Sequence, residues 1–192
     1  MTLRLAGSTS GYTEIDAPAV AGSNTLVLPT GNGSSGQVLT TNGSGVLSFA
    51  QGGRILQVVQ TDYQSETSLT STTYTEITGL ATSISLASSS NKVLFCGNLQ
   101  VGHHASTGAA FRIKRDSTVL SRDPFKWFYV ANNDGGGTVS WMFLDTPAVS
   151  SPTYKVEWKS DVASYTVYLN RTHANTTNEK GASQIILMEV AA

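Results

Sequence analysis

Three places in this 192-residue chain hold side chains that could do chemistry: His103-His104, Cys96, and the run Arg122-Asp123-Pro124-Phe125-Lys126-Trp127-Phe128-Tyr129. Adjacent histidines on a strand point to opposite faces and cannot converge on one ion, and no acid or cysteine stands at ligand spacing from this pair. The pair reads as part of a solvated loop, so no metal site and no cofactor is expected. Cys96 is the single cysteine, which excludes an intrachain disulfide and a zinc cluster. It follows Val93-Leu94-Phe95, an apolar run that predicts a strand buried on both faces and an inert thiol in the core. No Gly-x-Ser-x-Gly elbow, phosphate loop or dinucleotide fingerprint occurs. Asp134-Gly135-Gly136-Gly137 reads as a turn, since no helix follows to complete a phosphate cradle. The 13 acids are scattered at strand ends, which leaves hydrolysis by paired carboxylates as a lesser alternative. Asn-x-Ser/Thr triplets at Asn32, Asn42, Asn170 and Asn175 read as turn composition, because the first residues lack the apolar stretch of a secretory signal.

Binding is better represented than catalysis. The aromatic run leads into Asn132-Asn133-Asp134, and Arg122, Trp127, Tyr129, Asn132, Asn133 and Asp134 make a first candidate receptor surface. Aromatic faces stack on sugar rings, while amides and carboxylates bond to hydroxyls. The plainer reading, which we favour, puts Trp127 and Tyr129 in a core or a subunit interface. The polar loop from Arg171 to Asn178, with His173 and Asn175, is a second candidate surface.

Composition narrows the partners. Net charge is −1 and only 13% of residues are charged, with no basic stripe, which argues against nucleic acid. No apolar run approaches the ~20 residues that span a bilayer. Ser and Thr make up roughly a quarter of the chain, a polar but uncharged bias.

The elements that must position these residues are all strands. Between Asp16 and Arg54 no residue is charged, and the organisation changes at Gln51-Gly52-Gly53. Residues 1–53 read as short strands at Tyr12–Asp16, Thr25–Leu28, Gln37–Thr41 and Val46–Phe49, with Asn42-Gly43 predicting a tight type I′ hairpin. About a dozen large apolar residues across some fifty positions are too few to close a core alone. This module is expected to need other chains; a partly ordered linker is the alternative. From Arg54 onward period-2 alternation recurs, at Ile55–Gln60, Tyr74–Ile77, Thr82–Leu86, Phe111–Lys114, Lys155–Lys159, Tyr165–Leu169 and Ile185–Val190. About nine or ten strands and no helical window predict an all-β antiparallel jelly-roll sandwich over residues 54–192.

Several stretches resemble bacteriophage virion fibre and tail-tip proteins of the marine and cyanobacterial type. They are Gly7–Thr13 with Ala17–Leu26, Gly36–Gly45, Ile55–Gln60, Leu144-Asp145-Thr146-Pro147, Tyr154–Val156, Val167–Arg171 and Ile186–Val190. The resemblance implies a homotrimer, with residues 1–53 as a stem attached to other virion proteins. It implies a head over residues 54–192, similar to the tumour-necrosis-factor and complement C1q jelly rolls, that meets a host-surface glycan or protein. Only one copy of the opening repeat is present, which leaves fibre, baseplate, collar and capsid positions open. The role implied is a non-enzymatic virion protein made in the bacterial cytoplasm. A capsid decoration or cement protein, and last a polysaccharide-degrading spike domain, are the alternatives.

Overall fold

The computed structural model describes residues 3–104, 108–120, 125–126, 134–174 and 180–192. The chain divides into two compact units, Met1–Gly52 and Gly53–Ala192.

The first unit is two hairpins. β1 (Leu3–Ala6) pairs with β2 (Tyr12–Ile15), and β3 (Gln37–Thr41) pairs with β4 (Leu47–Gln51), both antiparallel. In the first hairpin Leu3, Leu5 and Ile15 share one face. Arg4 crosses on the other face to Glu14 at 3.0 Å and lies 4.1 Å over the Tyr12 ring. Among the described residues of this unit no side chain is buried: Ile15 is 61% exposed, Leu28 71% and Val20 93%. The Asn42-Gly43 hairpin forms, but not through a two-residue turn. Its last pair is Thr41 with Leu47, and the Asn42 side chain accepts hydrogen bonds from the backbone of Ser44 and Val46 across a longer loop. Gly43 and Gly45 supply the positive φ that this loop requires. The strand expected at Thr25–Leu28 is reduced to a single bridge, Val27 with Val46.

The second unit is an antiparallel sandwich of two sheets, as the alternation predicts. One sheet runs β10 (Thr118–Val119), β9 (Ala109–Arg115), β13 (Thr153–Ser160), β7 (Thr75–Ser83), with β11 (Phe125–Lys126) also on β9. The other is built around the long β8 (Lys92–His104). β12 (Asp134–Asp145) lines one edge of β8 along its full length. Its other edge is shared: β15 (Ser183–Val190), itself paired to β5 (Ile55–Tyr63), takes residues 92–98, and β14 (Val167–Leu169), paired to β6 (Thr67–Leu69), takes residues 101–103.

Alternation fills the space between the sheets. Val93, Phe95, Leu99 and Val101 of β8 and Ile185 and Leu187 of β15 face Phe111 and Ile113 of β9, Tyr154, Val156 and Trp158 of β13, and Ile77 of β7. Phe95 meets Phe143 at 5.0 Å between ring centroids and Tyr154 at 6.0 Å, so aromatic contacts tie one sheet to the other. Polar ties close the ends. Asp145 of β12 accepts both hydrogen bonds of Arg115 Nη1 at 2.6 and 2.7 Å, and Tyr154 donates to the same carboxylate at 2.6 Å. Burial and that carboxylate hold the Tyr154 phenol far above its ordinary range. The fully buried Glu189 accepts from Asn91 at 2.6 Å, Gln57 at 2.5 Å and the Ala87 backbone at 2.7 Å. Burial alone would raise this carboxyl; the hydrogen bonds outweigh it and hold the pKa below the ordinary value.

Three local expectations are corrected. His103 lies in β8, not in a loop, and is fully buried. Asp134–Gly137 opens β12 as strand, paired residue for residue with His104–Val101. Cys96 and Leu94 are half-buried on the outer face, so β8 alternates where a strand buried on both sides was expected; burial still pushes the Cys96 thiol up. Thr75–Ile77 and Thr82–Ser83 fall within one strand, β7, paired to β13 across a bulge, and the strand expected to run on to Leu86 ends at Ser83.

Candidate functional site

Arg122, Trp127, Tyr129, Asn132, Asn133 and Asn175 lie outside the described residues. Asp134 opens β12 opposite His104. His173 is described, and it leads to the one candidate site the structure builds from the expected residues.

β14 and β15 run in the same direction along one edge of β8, and the chain between them leaves that edge and returns to it. Asn170 makes the turn in the left-handed region, at φ 59°, which asparagine tolerates better than most residues. Its buried amide is fully engaged: Nδ2 donates to the Tyr63 and Ser65 carbonyls at 2.6 and 3.0 Å, and Oδ1 accepts from Ser183 Oγ at 2.6 Å. The next residues, Arg171 and Thr172, cross the outer face of β8 and β12. The crossing is possible because glycines lie beneath it. A Cβ on Gly102 would come within 2.9 Å of the Thr172 Cα, and one on Gly136 within 3.3 Å of the Thr172 methyl. Arg171 then bridges back to Lys180, and Gly181 donates to the Asn170 carbonyl at 3.0 Å.

This crossing leaves an open groove of about 340 Å³ lined by Gln100, Gly136, Gly137, Arg171, Thr172 and Lys180, among others. Arg171 is held in place by neutral acceptors. Nε donates to the Thr172 carbonyl at 3.0 Å, Nη2 to the His173 carbonyl at 3.2 Å, and the guanidinium lies 4.7 Å over the Tyr168 ring. His173 packs on the same tyrosine at 5.8 Å between ring centroids. Carbonyls fix the guanidinium but do not cancel its charge. Lys180, in contrast, is neutralised by Glu66 at 2.9 Å. On the groove floor Thr138 donates to Gln100 Oε1 at 3.0 Å, and Gln100 Nε2 donates to Asn98 at 3.1 Å. The described lining offers positive charge, hydroxyl and amide groups and no carboxylate, which suits an anionic or hydroxyl-rich ligand. Among the described residues no group of three His, Cys, Asp or Glu could hold a metal ion.

Sequence reading reached His173 and the loop around it, but not Tyr168, Gln100 or Lys180 as its neighbours. The available signal was glycine: Gly102 stands under the backbone of Arg171 and Thr172, Gly136 under the Thr172 methyl and Gly181 against the Gln100 side chain, and only the strand pairing shows that Gly102 and Gly136 meet.

No protein-family profile matches this chain. No curated protein matches it either. Solved structures are similar to it only at low identity and low TM-score. The infectious bursal disease virus Gt strain structure is 12% identical, with a TM-score of 0.40 over 97% of this chain and 46% of that one. The VP2 subviral particle of the same virus is 9% identical, with a TM-score of 0.40 over 76% and 40%. The insecticidal delta-endotoxin Cry8Ea1 of Bacillus thuringiensis is 14% identical, with a TM-score of 0.33 over 68% and 19%. The chain spans less than half the length of each of these. Likeness at this level assigns neither a family nor a role.

Proposed function

We propose that this chain is a non-enzymatic virion protein, a homotrimeric fibre or tip. In this reading residues 1–53 hold it to other virion proteins, and residues 54–192 form a head that meets a host-surface glycan. The observation that carries the reading is the first unit. Two amphipathic hairpins with no buried side chain among the described residues form a structure that other chains must complete, as a stem would be. The second unit has its own core and can stand outward on such a stem.

In the head, the groove under Arg171 supports saccharide binding. Its guanidinium, fixed by carbonyls in a groove whose described lining holds no carboxylate, favours an acidic sugar over a neutral one. Each groove is shallow and weak, and multivalency across copies supplies the avidity. The test is binding of the full chain to immobilised uronate polymer and to neutral dextran. Uronate binding that falls at least tenfold in Arg171→Ala, and weakens with salt, is the expected result. Absence of binding to either polymer and to host cells at any valency, with tight binding to empty capsids, would replace the adhesin with a cement protein.

A further inference from the structure

The two outer faces of the sandwich differ in kind. The outer face of β9, β13 and β7 is laced with charge. Glu157 pairs with Arg112 at 2.5 Å and with Lys114 at 3.3 Å, and Lys155 pairs with Glu76 at 2.6 Å. That is an ordinary solvent face. The outer face of β5, β15, β8 and β12 carries one apolar row across all four strands and a second across three. Strand register sets Val58, Met188, Leu94 and Leu144 side by side, and next to them Ile186, Cys96 and Met142 beyond Gln60. Met142 is 74% exposed, Val58 56% and Leu144 52%. The neighbouring row is uncharged across three strands: Gln184, Asn98 and Ser140, with Asn98 donating to Ser140 at 3.4 Å. Only Asp62, on the β5 edge, brings a charge to that row.

We infer that this face is covered by further copies of the same chain. This inference rests on the self-assembly proposed above and names the surface that performs it. Three of the seven apolar side chains are more than half exposed, and contiguous apolar surface of this kind marks an interaction face. The two rows themselves carry no charge, so they meet a copy of themselves at no electrostatic cost and give a charged partner nothing to pair with. The first unit separately leaves its apolar strips bare, a second surface for copies of the chain to cover. In a three-fold ring these apolar rows are turned toward the common axis, and the Arg171 groove, toward the other end of β8 and β12, stays open.

The experiment combines native mass measurement of the full chain at micromolar concentration with hydrogen peroxide footprinting. The reference rate for Met142 oxidation is that of a synthetic peptide spanning residues 138–146. A trimer in which Met142 oxidises at least tenfold more slowly than in the peptide is the expected result. The variant Val58→Glu/Leu144→Glu should keep its β-sheet circular dichroism and regain fast Met142 oxidation. An oligomer whose Met142 oxidises at the peptide rate overturns this face and leaves assembly through the first unit standing. A monomer overturns both. A dimer with Met142 protected keeps the face and overturns three-fold symmetry.

Discussion

A Cβ built on Gly102 would stand 2.2 Å from the backbone oxygen of Arg171, so the chain crosses β8 only because residue 102 has no side chain. Gly102→Ala must push the Arg171–Thr172 crossing off the sheet. The expected cost is about 1–3 kcal/mol, the usual range for overpacking a fitted contact, read from urea unfolding. Loss of uronate binding should accompany it. Gly136→Ala meets only a movable threonine methyl at 3.3 Å and should cost well under half as much.

The Glu189 carboxylate gathers Asn91, Gln57 and the Ala87 backbone into one buried clasp. Glu189→Gln leaves donors facing donors and should destabilise the head by about 2 kcal/mol at neutral pH. The sign with pH follows from a carboxyl held below its ordinary value of 4.5. Its contribution is complete above the unfolded-state pKa and is lost as pH falls through the folded one. The gap between the stability curves of wild type and Glu189→Gln should therefore narrow as pH falls below 4.5, measured by denaturant titration at stepped pH.

Tyr154, Asp145 and Arg115 link β13, β12 and β9, and so tie the two sheets together. Tyr154→Phe removes a hydrogen bond to a carboxylate and should cost about 2 kcal/mol. Asp145→Ala should cost more, about 3 kcal/mol, because it leaves a largely buried guanidinium without its anion. Since the folded phenol titrates above its ordinary range, its contribution is intact below the unfolded pKa of 10 and lost as pH rises past it. Alkaline unfolding above pH ~10 should be shallower in Tyr154→Phe than in wild type.

What the sequence made legible follows from which forces are local. Period-2 alternation located β5, β9, β13 and β15, because each buries one face against a core whose partners need not be known. Phe111 and Ile113 inward with Arg112 and Lys114 outward is visible in four letters. β12 was not visible. Its first four residues, Asp134-Gly135-Gly136-Gly137, carry turn composition, and their strand state depends on pairing with His104–Val101 some thirty residues earlier. Cys96 was misplaced for a related reason. An apolar outer face mimics a doubly buried strand, and nothing in Val93-Leu94-Phe95-Cys96 says that its second side is open. The groove was half legible: the loop around His173 shows in the sequence, while the residues it folds against come from three other strands.

The first unit yields the prediction on which the assembly depends. Leu3, Leu5 and Ile15 share a face and are each more than half exposed, and Leu39 is 51% exposed. Two-stranded hairpins of this size are marginal in water. In the isolated peptide of residues 1–52, the amides of β1 to β4 should exchange with solvent within about tenfold of unstructured rates, since local openings there cost almost nothing. In the full-length assembly the same amides should be protected by at least a hundredfold, because neighbouring chains cover them. Leu3→Asp/Ile15→Asp should erase that protection and leave exchange in β8 and β15 unchanged, since their core residues Phe95 and Leu187 belong to a unit that closes by itself. Slow exchange in the monomeric peptide would mean that the hairpins need no partner, and the stem would then have no physical reason to assemble.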